Sequence, residues 1–197
     1  MPKAALLTID MQNEYFEDGR PLKVAEGPAV LANVVRLQDG ARKAGIPLIH
    51  IQHLSLDPEG GVFVESSPFS DLVEESAPNM GEKVIIKRYP SAFAGTDLEG
   101  HLQALGVDTL VIAGLMSFMC CDTTAREAHS KGYKVLFVKD ATAAIDLGEI
   151  PAPQIHEVTL AVQGFIFSEV VSTEEALGEI SKGREGEGGR GRKTRTR

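Results

Sequence analysis

The chain has 197 residues, 43% of them hydrophobic, with two cysteines and a formal net charge of −8. That length suits one domain with a sizeable core, and no apolar run is long enough to span a bilayer. The charge is uneven: residues 183–197 carry six Lys/Arg against two Glu, a local +4, which leaves −12 on residues 1–182 and argues against nucleic-acid binding by the folded part.

The chain enters a strand pattern directly, without a signal-peptide layout, so a cytoplasmic protein is expected. Two adjacent cysteines cannot staple a fold in the usual way, which fits a reducing compartment. Ala4 to Asp10 is an apolar run ending in a carboxylate, as in a central parallel strand whose carboxyl end carries Asp10. Ligands of open α/β sheets gather at that edge. A polar loop with Tyr15 and Phe16 follows. Gly27 to Gly45 places Val30, Leu31, Val34, Val35, Leu37 and Ala41 at near-helical spacing, with Gly45 as the stop.

Ile46 to His53 reads as a second strand. His50 and His53, three apart on an extended chain, point to opposite faces, and no Asp-x-His or Cys-x-x-Cys pair accompanies them. A packed or solvent-bridged pair is expected, with no metal. Residues 54–82, rich in Pro, Gly, Ser and acidic side chains around Phe63 and Phe69, form a long excursion of the kind that serves as a lid, a binding segment or a subunit contact, or simply as a partly ordered surface loop. Val84 to Lys87 is another strand, ending in a cation, and a helix from Asp97 to Leu105 follows with Thr96 as its N-cap.

Leu110 to Ala113 reads as a buried strand that Gly114 breaks, with Ser117 capping a helix through Ala128. Cys120 then lies in the first turn, where free N–H groups and the helix dipole favour an anion and should ease ionisation of the thiol. Cys121, Ala125 and Ala128 form a small apolar stripe suited to packing on a sheet, and Cys120 points about 100° away from it. Two buried, inert cysteines would fit the same residues. A redox pair does not, because a bridge between neighbours is strained and the C-x-x-C spacing is missing.

Tyr133 to Asp140 is a strand, Ala152 to Gln163 a helix, Phe165 to Val171 the last strand, and Ser172 or Thr173 caps a final helix through Ile180. Strands alternating with helices mean a doubly wound α/β domain over residues 1–182, followed by a disordered basic Gly/Arg-rich tail, 183–197. Three strand ends supply Asp10, Lys87 and, just beyond Gly114, Cys120. Carboxylate, ammonium and thiol can converge on one edge of one sheet.

Four segments together resemble the isochorismatase-like cysteine hydrolases over residues 4–180. They are Ile9-Asp-Met-Gln-Asn-Glu-Tyr-Phe, Lys87 with Ser91-Ala-Phe and Gly95-Thr, the run from Gly114 to Ala128, and Gly132-Tyr ahead of the strand ending Asp140-Ala. The resemblance implies a mostly parallel six-stranded sheet with helices on both faces and a catalytic triad of Asp10, Lys87 and Cys120. It also implies a non-proline cis peptide at Leu115–Met116, with Ser117 in place of the family's Thr, and an oxyanion hole made by the Met116 and Cys120 N–H groups. Gln12, Phe16, Phe93 and Phe118 are the side chains expected to meet substrate. The expected reaction is hydrolysis of an amide or ureido C–N bond of a small molecule, without a cofactor. Family members that cleave a vinyl ether, and a scaffold that keeps only the fold, are the alternatives. His50-Ile-Gln-His53 does not match the metal-binding element of nicotinamidases. Homodimers or larger assemblies are implied by the family's habits, with 54–82 as the segment expected to take part.

Overall fold

The computed structural model describes residues 3–185, so most of the expected tail, from 186 onward, lies outside the described residues. Six strands, β1 (Ala4–Ile9), β2 (Leu48–His53), β3 (Lys83–Lys87), β4 (Thr109–Leu115), β5 (Lys134–Ala143) and β6 (Glu169–Val171), form one sheet in the order β3-β2-β1-β4-β5-β6. Every pairing is parallel. Five α-helices, α1 (Gly27–Ala44), α2 (Leu98–Leu105), α3 (Asp122–Ser130), α4 (Ala152–Val162) and α5 (Thr173–Glu185), complete the doubly wound fold. None of them is long and apolar enough to cross a membrane.

Period-2 alternation in strands covered on both sides divides the core in two. Leu6, Val111, Ala113, Leu136 and Val138 join Val30, Val34, Leu37 and Ala41 of α1 and Ala176 and Ile180 of α5 on one face. On the other, Ala5, Leu7, Ile9, Ile49, Ile51, Ile112 and Phe137 join Leu98 and Leu102 of α2 and Cys121, Ala125 and Ala128 around α3. The strand order reverses direction at β1 and β4. A crevice at the carboxyl ends of those two strands is where such a sheet receives a ligand.

Several boundaries differ from the sequence reading. Gly114 does not end the fourth strand, which runs to Leu115. Its φ of +122° and its position against β1 both require glycine, since a Cβ there would sit 2.1 Å from the Ile9 carbonyl oxygen. Ser117 caps nothing: Ser117–Cys121 is a single π-helical turn with Met116 at the N-cap position, and α3 begins only at Asp122. The Ser117 hydroxyl is buried without a hydrogen-bond partner among the described residues. Asp97, not Thr96, precedes α2, although the Thr96 hydroxyl still accepts the Leu98 N–H at 3.2 Å. Phe165 to Phe167 belong to a second π turn after α4, which shortens the last strand to three residues. α5 opens with a reciprocal capping box, in which the Ser172 N–H donates to Glu175 and the Glu175 N–H to the Ser172 hydroxyl.

The 54–82 excursion is fastened to the loop after β1. Asn13 donates to the Pro68 carbonyl, and Arg20 donates to Glu14 and to the Gly61 carbonyl while lying over the Phe69 ring. At its far end Glu82 receives Arg42, His50 and the Asn79 N–H. The Arg42 guanidinium is the main reason that the Glu82 carboxyl falls from 4.5 to about 2.

Candidate active site

The carboxyl ends of neighbouring strands deliver the polar groups of the site. Asp10 follows β1 immediately and adopts φ +53°, a left-handed backbone that Asp tolerates better than most residues. Lys87 closes β3, and in the β2–β3 register it lies opposite His53. Cys120 comes from the π turn after β4. The Leu115–Met116 peptide that leads into this turn is cis.

Lys87 is the hub. Its Nζ lies 2.8 Å from Asp10 Oδ2, and both side chains are 0% exposed. The same nitrogen donates to Cys120 Sγ at 3.1 Å and lies 3.0 Å from His53 Nδ1. Burial works against the ammonium, but the Asp10 carboxylate beside it outweighs this and the Lys87 pKa is raised. Neither Asp10 oxygen accepts a well-directed hydrogen bond from the described residues, so the carboxylate is held by charge and keeps lone pairs free for a proton.

The thiol behaves contrary to the local reading. Burial pushes the Cys120 pKa up, the Asp10 charge adds to it, and the attraction of Lys87 offsets only part. A helix N-terminus eases ionisation only where the thiol remains hydrated or meets uncompensated positive charge. Here the ammonium is already neutralised by Asp10, and the resting group is S–H. Cys121, fully buried, is pushed up by the same desolvation. Both are free thiols.

Gln12 is not available to a substrate. It is fully buried, its Nε2 donates to the His53 carbonyl at 2.8 Å and to the Ser70 carbonyl at 2.7 Å, and its Oε1 accepts the His53 N–H at 2.8 Å. All of its amide is spent holding the end of β2. Phe93 shares the buried cluster of Cys120 and stacks on Tyr133. Phe16 and Phe118 are half-buried against the cluster on the other face. An open cleft of about 620 Å³, lined by Ser55, Leu56, Pro58, Val64, Glu65 and Arg88 among others, begins just past His53 and Lys87. Asp10, Lys87 and Cys120 are not among its lining residues.

His50 and His53 do face opposite ways. His50 is buried between Thr8 and Glu82, while His53 turns to Lys87, a contact that the sequence reading missed. The signal available was the register of two neighbouring strand ends. Among the described residues no group of three or more His, Cys, Asp or Glu side chains could hold a metal ion. Tyr15, an aromatic of the loop after β1, is fully buried, and burial is the main reason that its pKa is raised.

Comparison with known proteins identifies the family and the fold. The model of the isochorismatase domain matches residues 4–175. The isochorismatase family protein YddQ of Bacillus subtilis is 34% identical over 177 residues, which cover 88% of this chain and 98% of that protein. Nicotinamidase 3 of Arabidopsis thaliana is 31% identical over 184 residues, 87% of this chain and 86% of that one. The crystal structure of an isochorismatase from Pseudomonas putida KT2440 superposes with a TM-score of 0.82 at 40% identity, covering 87% of this chain and 89% of that chain.

Proposed function

This chain belongs to the isochorismatase family, and from that premise we propose that it hydrolyses a C–N bond of a small amide or ureido compound with Cys120 as nucleophile. One observation carries the reading: a single buried ammonium lies 2.8 Å from a carboxylate and 3.1 Å from a thiol at the switch point of the sheet. The similarity to a nicotinamidase supports an amide over an ether.

The neutral resting thiol sets the order of events. Asp10 takes the S–H proton as Sγ attacks the carbonyl carbon, and Lys87 holds the nascent thiolate and the carboxyl group in place. The oxyanion of the tetrahedral intermediate is received by the Met116 and Cys120 backbone N–H groups, each worth about 3 kcal/mol in such a role. Asp10 returns its proton to the leaving nitrogen, the C–N bond breaks, and a thioester remains on Cys120. Water, deprotonated by Asp10, then attacks the thioester, the C–S bond breaks to release the acid product, and Asp10 returns the proton to the Cys120 thiolate.

An ammonia-release screen over small amides, ureido acids and nicotinamide tests this, with acid-quenched samples weighed intact. The expected result is release from at least one compound together with an acyl increment on Cys120. Hydrolysis of that compound with no acyl increment under any quench would overturn the covalent route, and no release from any of them would overturn the C–N assignment.

Assembly with a second copy is part of the same proposal, and the region after α4 offers a face for it in addition to the 54–82 segment. Val158, Phe165 and Ile166 are exposed on and after α4, and α4 packs against the π turn that carries Cys120. Gel filtration with light scattering should give a dimer or larger, and Phe165→Asp should shift it toward monomer. A wild-type monomer at micromolar concentration removes this part.

A further inference from the structure

Three groups form a tripod around the Lys87 ammonium: Cys120 Sγ and His53 Nδ1, at hydrogen-bond distances of 3.1 and 3.0 Å, and Asp10 Oδ2, its ion-pair partner at 2.8 Å. From this tripod we propose that His53 is a positioning residue for Lys87, whose Nδ1 takes one ammonium hydrogen and so holds the nitrogen between the carboxylate and the thiol. The inference rests on the triad reading above and adds a fourth member to it.

The ring is held for that purpose from three sides. Gln12 clamps both backbone groups of His53, accepting its N–H and donating to its carbonyl. The β2–β3 register sets His53 directly across from Lys87. Phe63 meets the imidazole edge-on, with ring centroids 5.1 Å apart and planes at 85°, and is itself held edge-on by Tyr15 at 5.4 Å. This is the use that the 54–82 excursion makes of Phe63, one of its few buried apolar side chains.

The chemistry requires one tautomer. Lys87 can donate only to a bare nitrogen, so the proton of the neutral ring belongs on Nε2. The charged groups acting on His53 are Lys87 at the end of β3, Arg88 just after it, and Asp10 just after β1. Burial is the largest influence and Lys87 the next, and together they lower the His53 pKa, so that the ring is neutral at pH 7. A protonated ring would set two cations 3.0 Å apart and break the tripod.

The side chains of Asn and Gln separate this role from simple packing. The Asn oxygen reaches the place of Nδ1, while the Gln side chain reaches that of Nε2. The experiment measures the rate of iodoacetamide labelling at Cys120, located by mass spectrometry, for the wild type and for His53→Ala, His53→Asn and His53→Gln. It also measures the His53 nitrogen-15 shifts in wild type and Lys87→Met. The expected result is labelling slowed roughly tenfold in H53A and H53Q, restored to within about threefold in H53N, on the scale of one hydrogen bond to a charged group. The expected spectrum is that of the Nε2–H tautomer, with an Nδ1 shift that moves when Lys87 is replaced. Equal labelling of H53A and wild type, an H53N variant as slow as H53A, or an Nδ1–H tautomer would overturn the proposal. These readouts need no substrate, so they stand apart from the outcome of the ammonia-release screen.

Discussion

Cys120→Ala is expected to lower ammonia release from the amide substrate by at least about 10⁴-fold, the scale on which removal of a covalent nucleophile acts. The protein should stay folded. Only one sulfur is lost from a side chain 8% exposed, and Lys87 keeps Asp10 and His53, so the stability change should stay within about 1 kcal/mol. The partner experiment uses the neighbour. Cys121 packs against the sheet with Ala125 and Ala128 and has no contact with the ammonium among the described hydrogen bonds, so Cys121→Ala should retain most of the turnover. Initial rates of ammonia release and thermal melts of both variants decide the assignment. Equal losses in the two, or activity in C120A, would move the nucleophile elsewhere.

Lys87→Met should cost both turnover and stability. The stem is kept, but the Asp10 carboxylate is left buried with its counter-ion gone, a situation that costs about 3–5 kcal/mol. The thiol also loses its one donor, so the S–H has nothing to stabilise it as it ionises. Ammonia release should fall to background, and the urea midpoint should drop by an amount equivalent to that energy. Adding Asp10→Asn to the same chain removes the stranded charge. The double variant is therefore expected to regain much of the stability and none of the activity, and a double variant no more stable than K87M would show that the pair is not what the fold depends on.

The parts of the fold and site legible in the sequence are those set by short-range pattern. Apolar runs capped by Asp10 and Lys87 locate strand ends, and a doubly wound sheet puts such ends on one edge, so the convergence of Asp10, Lys87 and Cys120 could be read from spacing. What escaped depends on distant partners. Gln12 looks like a polar residue at a ligand edge, but its amide is consumed by His53 and Ser70, 41 and 58 residues along the chain. His53 looks like half of a histidine pair until the β2–β3 register is known. Gly114 looks like a stop because glycine usually is one, whereas here it lets β4 lie against the Ile9 backbone. The acidity of Cys120 was misjudged for a related reason. The helix end is local and visible, while the burial and the Asp10 charge that override it come from other parts of the chain.

A nucleophile that rests as S–H also has a chemical lifetime different from that of a standing thiolate. Peroxides and disulfides react with the anion far faster than with the protonated sulfur, and the first product, a sulfenic acid, opens the way to irreversible damage. On the mechanism proposed above, burial that raises the pKa of Cys120 and of its buried neighbour Cys121 leaves the anion to form only as a substrate carbonyl is attacked. The same burial that slows the thiol thus shields it from the oxidants that would end its working life.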